Sequence, residues 1–292
     1  MTQPIECSFL TPFDGSFDLK KVPTKPPKDV PSKSECKELL AKEVAQLRDY
    51  QRVLYAKDHH AVLCVFQAMD AAGKDSTIRA VFSGVNPAGF QVHSFKRPST
   101  NELDHDFLWR TTKALPERGR IGVFNRSYYE EVLVVKVHPE ILDSQRLPDR
   151  PKLSQLFADR YESIRDHEKH LARNGLVILK FWLNVSKDEQ ARRFLSRLDD
   201  PKKNWKFESG DVRERGYWDK YMKAYEEAIS ETSRDHAPWY AIPANDKSYM
   251  RWQVARILRK TLEQLDLKFP EVDPADREQF AGFHKQLTKE LQ

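Results

Sequence analysis

Cysteine is scarce in this chain: Cys7, Cys36 and Cys64 are its three thiols in 292 residues. They are odd in number and far apart, and no two form the short-gap pair of a zinc or redox centre, so they read as reduced cysteines. Long apolar runs are missing too. No stretch approaches the roughly 18 apolar residues of a membrane helix, and the N-terminus lacks a basic start followed by an apolar signal core. A cytoplasmic protein with no membrane partner is expected. There is no internal repeat. The paired His59 and His60, and His167 with His170, lack a carboxylate or cysteine at ligand spacing and read as surface histidines. Net charge is also low, at +5. Charge is instead concentrated locally, with six basic residues between Arg192 and Lys206 against Asp199 and Asp200.

What is present suits one large domain. Hydrophobic residues make up 39% and charged residues 32%, which supplies a core and a heavily charged surface, the profile of a soluble enzyme. Residues 1–34 carry six prolines separated by lysines and other residues and predict an extended, loosely attached arm. The domain proper is expected over 35–292. From Ser34 to Ala56 apolar positions recur at helical spacing. Buried strands are predicted at Ala61 to Phe66, Phe90 to Phe95, Ile121 to Phe124, Leu176 to Val185 and Trp239 to Ile242. Capping boxes at Ser99-x-x-Glu102 and Ser186-x-x-Glu189, and a stop at Gly175, mark helices between them. This alternation predicts an α/β fold with a parallel sheet between helices.

Directly after the first strand stands Ala68-Met69-Asp70-Ala71-Ala72-Gly73-Lys74-Asp75-Ser76. Small residues whose amides can curl round a phosphate, a following helix N-terminus and a lysine are what a phosphate loop requires. Ala68 replaces the usual first glycine, and Asp75 stands where a magnesium-binding hydroxyl is common. The plainer reading is a strand-turn-helix corner in which Gly73 permits the turn and Lys74 is solvated. Asp70 argues against it, because a carboxylate in such a loop repels the ligand unless a cation intervenes. Asp70 therefore reads as a magnesium ligand or an orienter of the attacking oxygen.

The third strand runs into Asn125-Arg126-Ser127-Tyr128-Tyr129-Glu130-Glu131, and strand carboxyl ends line the crevice of an open parallel sheet. Arg126 can bridge the transferring phosphoryl group with its planar fork, and Glu130 can add a second carboxylate to the metal. The plainer alternative is an i, i+4 surface pair. Asn125, Tyr129 and Glu130 are candidate nucleotide contacts. The basic stretch is read as a lid over about 192–218, with Arg193, Arg197, Lys202 and Lys203, together with Lys96 and Arg97 beyond the second strand, holding an anionic chain. Arg193 and Arg197 share one helix side by spacing. A merely solvated face is the alternative.

The segments MDAAGKDST at 69–77, SGVNPAGFQVHSFKRPS at 83–99, FLWRTTKALPERGRIGVFNRSYYEEVLVVKVHP at 107–139 and APWYAIPANDKSYMRW at 237–252 resemble the polyphosphate kinase 2 family. The likeness spans about residues 18–265, and GVFNRSYYEEVLVVKVHP is its most specific part. It implies a three-layer α/β/α P-loop kinase fold similar to thymidylate kinase, with a parallel five-stranded sheet and a helical lid. It places Asp70, Lys74 and Arg126 in the catalytic set, and the cations near Arg193 on polyphosphate. Where some members carry Asp before that arginine, this chain has Asn125, which leaves Glu130 as the substitute metal ligand. The implied reaction is transfer of phosphoryl groups between inorganic polyphosphate and purine nucleotides, AMP and ADP first, then GMP and GDP. Magnesium, or manganese in its place, is the implied cofactor, and a homo-oligomer, dimer or tetramer, the implied assembly. The rivals are an ATP-dependent nucleoside monophosphate kinase on the same fold and a nucleic-acid-binding module suggested by the basic stretch with Trp205, Tyr217 and Trp218. The module explains neither Asp70 nor the strand-loop-helix setting, so no nucleic-acid partner is expected.

Overall fold

A computed structural model describes residues 3–292. Its five strands form one parallel sheet in the order β2-β3-β1-β4-β5. They are β1 (Ala61–Gln67), β2 (Phe90–Ser94), β3 (Ile121–Asn125), β4 (Leu176–Asn184) and β5 (Trp239–Pro243). All seven residues of central β1 are buried, as a strand covered on both faces requires.

The connecting helices are α1 (Lys33–Lys57), α2 (Lys74–Val81), α3 (Thr100–Leu103), α4 (Trp109–Thr112), α5 (Val134–Val137) and α6 (Leu153–Arg173). There follow α7 (Lys187–Leu198), α8 (Ser209–Arg215), α9 (Trp218–Thr232), α10 (Lys247–Gln264) and α11 (Pro274–Glu290). Helices α1, α2 and α10 pack together, and α5, α6 and α9 form a second group, giving the three-layer P-loop kinase architecture. Sequence signals account for the helix ends. Ser32 caps α1 with Glu35 answering as a capping box, and Ser99 with Glu102 does the same for α3. Ser186 caps α7 through the Glu189 amide, but the Glu189 carboxylate turns to Arg193 rather than closing the box.

The arm departs from expectation. Over residues 3–32 the chain is largely extended apart from a short 3-10 turn at Leu19–Lys21, but it is docked: Ile5, Phe9 and Phe17 are buried. Leu10 bridges Tyr240 antiparallel, Ala241 N–H donates to Phe9 O at 2.8 Å, and Thr11 N–H donates to Trp239 O at 3.0 Å. The arm satisfies the free edge of β5, which an open sheet would otherwise leave unpaired. Proline spacing revealed its extension; the apolar residues between the prolines decide its docking.

Tyr129 also departs from its predicted role. It is fully buried, not a nucleotide contact. Its hydroxyl lies 2.9 Å from Glu168 and from Thr232 and accepts from Lys180 Nζ at 2.9 Å. Lys180 and Glu168 are both inaccessible and paired at 2.6 Å. Tyr128 donates to the same carboxylate at 2.8 Å. Every donor of the Lys180 ammonium has an acceptor, since Thr232 O takes the third at 2.8 Å, which is the condition for tolerating a charge pair in the interior. The motif tyrosines thus anchor the Arg126 segment to α6 and α9.

Candidate active site

The loop between β1 and α2 has the backbone of an anion cradle. Ala71 and Gly73 take positive φ, 59° and 109°, and among the described residues their amides donate to no protein acceptor. Gly73 is needed because a side chain rarely adopts that conformation. Lys74 folds back over the loop and donates to Ala68 O at 2.7 Å, so the alanine in place of the first glycine contributes its carbonyl. Burial, and then the Arg126 charge, push the Lys74 ammonium below the ordinary lysine value, while Asp70, Glu130 and Asp75 pull the other way. The hydroxyls of Ser76 and Thr77 return to Gly73 O at 3.0 and 2.9 Å.

Parallel register brings the second constellation alongside, because Phe66 pairs with Asn125. Arg126, at φ 63°, donates its amide to Phe66 O at 3.1 Å. Its guanidinium lies between two carboxylates, 2.9 Å from Asp70 and 3.2 Å from Glu130. The i, i+4 pair therefore exists, and it extends to the phosphate loop. The Glu130 carboxylate, with Asp70 beside it, holds Arg126 charged against the opposing effect of burial. Asn125 Nδ2 donates to Asp75 Oδ1 at 2.6 Å. An aspartate at 125 would set two carboxylates against each other there, so the amide and Asp75 form a matched pair.

The sequence reading missed the wall facing these groups. Tyr221 and Tyr225 of α9 and Glu214 of α8 line the same small cavity as Asp70, Arg126 and Glu130. Glu214 accepts from Tyr221 at 2.7 Å and meets His138 Nε2 at 2.9 Å, which ties α8 to the end of α5. Burial, followed by Glu130, pushes the Tyr225 phenol well up, so it stands there as a neutral donor. No spacing rule links residue 130 to residue 225; only the fold does.

The basic residues divide into separate groups. Lys96 and Arg97 are exposed beyond β2, whose last residue, Ser94, lies 3.4 Å from Asn125. Arg197 pairs with Asp211 at 3.4 Å and Lys203 with Asp200 at 2.7 Å, while Lys202 is exposed. Arg193 corrects the lid reading. It is 7% exposed, and Nε donates to Glu189 at 2.9 Å. Nη1 donates to Ala72 O and Ala71 O at 2.6 and 3.2 Å, and Nη2 to Ala244 O and Asn245 O at 2.6 and 3.2 Å. Its helix face turns inward with Gln190 and Phe194, so its donors are committed to main chain before any polyanion arrives. A cationic group unassigned from sequence lies on α10. Lys247 is held down by burial and by Arg193 and Arg251, and Arg251 by burial and by Arg79. Arg251 Nε is buried without an acceptor among the described residues. Both α10 residues fall in the segment NDKSYMRW, where a basic pair one turn apart was the available signal.

Among the described residues no cluster of three or more His, Cys, Asp or Glu side chains forms a ready-made metal site, and no helix is long and apolar enough to cross a membrane. Comparison with known proteins follows the same geography. The family described as Polyphosphate kinase 2 (PPK2) matches residues 30–270, a span holding the loop, Arg126 and α7 to α10. The chain is 55% identical over 273 residues to the ADP-polyphosphate phosphotransferase of Rhodopseudomonas palustris, covering 93% of this chain and 94% of that one. It is 46% identical over 266 residues to the AMP/ADP-polyphosphate phosphotransferase of Meiothermus ruber, covering 90% and 94%. The crystal structure of Polyphosphate Kinase 2 from Arthrobacter aurescens TC1 superposes with a TM-score of 0.83 at 39% identity, covering 91% and 93%. With near-complete coverage in sequence and in structure, the chain belongs to the polyphosphate kinase 2 family.

Proposed function

We propose that this protein transfers phosphoryl groups between inorganic polyphosphate and AMP or ADP, with GMP and GDP as further acceptors. The observation that carries the reading is the Arg126 guanidinium, held between Asp70 of the phosphate loop and Glu130, on the side where Lys74 crosses the loop. Phosphoryl transfer proceeds through a loose transition state with charge spread over equatorial oxygens, so positioned cations and amides do most of the work. Lys74, the Ala71 and Gly73 amides and Arg126 supply them.

Asp70 and Glu130 each give one oxygen to Arg126 and keep the other. Those free oxygens fit magnesium, which takes one or two carboxylates and completes its shell with phosphates and water; manganese fits the same donors. Bound there, the ion would neutralise charge between donor and acceptor phosphates. Polyphosphate is assigned to the exposed cations Lys96, Arg97, Lys202 and Lys203, to Arg197 and to the Lys247 and Arg251 group. The space between loop and α8 is about 30 Å³, too small for a nucleotide, and outward movement of α8 is the opening we propose for a substrate to enter there. Buried thiols at Cys36 and Cys64 suit a reducing cytoplasm, and a dimer or tetramer is our expectation for the assembly.

The deciding experiment incubates the purified protein with polyphosphate, magnesium and each of AMP, ADP, GMP and GDP. Nucleotide products and polyphosphate length are then followed together. Chain shortening in step with product is expected. Product formed with ATP as donor and polyphosphate untouched would make the protein a nucleoside monophosphate kinase.

A further inference from the structure

Three consecutive carbonyls of the phosphate loop point at α7. Asp70 O accepts from Gln190 Nε2 at 2.9 Å, and Ala71 O and Ala72 O accept from Arg193 at 3.2 and 2.6 Å. Across a planar trans peptide a carbonyl and the next residue's N–H point in opposite directions. Anchoring these carbonyls on α7 therefore aims the amides of Ala71, Ala72 and Gly73 the other way. The Ala72 amide closes the turn to Met69 O at 3.2 Å, which leaves those of Ala71 and Gly73 for an anion.

Gln190 is 1% exposed, and both ends of its amide are committed. Its Oε1 accepts from Arg215 Nη1 at 3.0 Å, and the same nitrogen donates to Lys187 O at 2.6 Å. Arg215 is the last residue of α8, the helix whose Glu214 faces Asp70 and Glu130 across the cavity. We propose that Gln190 is a positioning residue that relays the seating of α8, through Arg215, to the main chain at Asp70. A buried amide satisfied at both ends has one orientation, so the loop is set for transfer when α8 is docked and loosened when it swings away. The inference rests on the loop being the phosphoryl-transfer site.

The test compares Gln190→Glu, Gln190→Met, Arg215→Met and the Gln190→Met/Arg215→Met double variant, with Lys74→Ala beside them. Gln190→Glu is nearly isosteric and keeps an acceptor for Arg215, but when ionised it cannot donate to the Asp70 carbonyl. It is expected to lower kcat tenfold or more at saturating substrates, well below its thermal midpoint, with the nucleotide KM within about threefold; misplacement of a reacting group by 1 Å can cost ~100-fold. The double variant is expected to be no slower than Gln190→Met, because both substitutions cut one path. Multiplicative losses in the double variant, wild-type kcat in Gln190→Glu, or losses that vanish on cooling overturn the relay. Normal turnover in Lys74→Ala removes the loop from the chemistry and the relay with it. Loss in Lys74→Ala with normal turnover in Gln190→Glu overturns the relay alone.

Discussion

Arg126 offers a perturbation whose catalytic and conformational effects separate. Its backbone lies at φ 63°, where a Cβ costs about 1–2 kcal/mol, and its guanidinium bridges Asp70 and Glu130 at 2.9 and 3.2 Å. Arg126→Ala removes the bridge and keeps the strained backbone; Arg126→Gly removes both. Each is expected to lower kcat by ~100-fold or more, the usual effect of losing one preorganised donor. The glycine variant should nevertheless be the more stable by about 1 kcal/mol, after the chain entropy that works against glycine. The bridge itself adds little to folding. The Arg126 side chain is 40% exposed, and solvent screening leaves such pairs at most about 1 kcal/mol. Arg126→Lys keeps the charge but not the fork, and should lose ~10-fold, between wild type and alanine. Chromatographic turnover at saturating polyphosphate measures the first effect, and urea unfolding with unchanged slope the second. Wild-type turnover in Arg126→Lys would refute bidentate bridging. Alanine within threefold of wild type would take Arg126 out of the mechanism.

Lys74 sets a pH dependence. Its folded-state value lies below that of the unfolded chain, so the unfolded chain binds more protons between that value and about 10.4, and stability should rise with pH across this window. The alkaline limb of kcat/KM should fall below about pH 10.4 and that of kcat should lie higher, because a bound polyanion pulls the ammonium back up; an unmoved limb in Lys74→Arg assigns it to another group. Glu168→Gln leaves the Lys180 ammonium buried without its counter-charge, pushing stability down by about 3–5 kcal/mol, and chemical denaturation showing under 1 kcal/mol would contradict the buried network. Deleting residues 1–24 uncovers Ile5, Phe9, Phe17 and the β5 edge. At the lower end of ~1.5 kcal/mol per buried side chain, at least about 4 kcal/mol should be lost; an unchanged thermal midpoint would restore the loosely attached arm.

Much of the candidate site was legible where neighbours in space are neighbours in sequence. The loop from Asp70 to Ser76 follows from a buried strand, small residues and a helix start, and four of the five strands announced themselves as buried apolar runs; the strand at Phe90–Ser94, expected to be buried too, lies at the sheet edge with none of its residues buried. Helical spacing misled at Arg193. It puts two side chains on one side of a helix, but it does not say whether that side meets water or the main chain of a loop more than a hundred residues earlier. Tyr129 was misread for a similar reason: it shares a motif with Arg126, but its hydroxyl meets Glu168 of α6 and Thr232 of α9, partners that sequence proximity does not reveal.

Alternation of strand and helix, a phosphate loop at the first strand's end and the Arg126 segment at the third are local properties, and local steric and hydrogen-bonding rules are enough to specify them. Which carboxylates share one guanidinium, which arginine is consumed in bracing the loop, and which tyrosines close the cavity depend on strand order and on helices packing across the sheet. Those contacts join residues far apart in the chain, and their energies exist only once burial has removed the competing water.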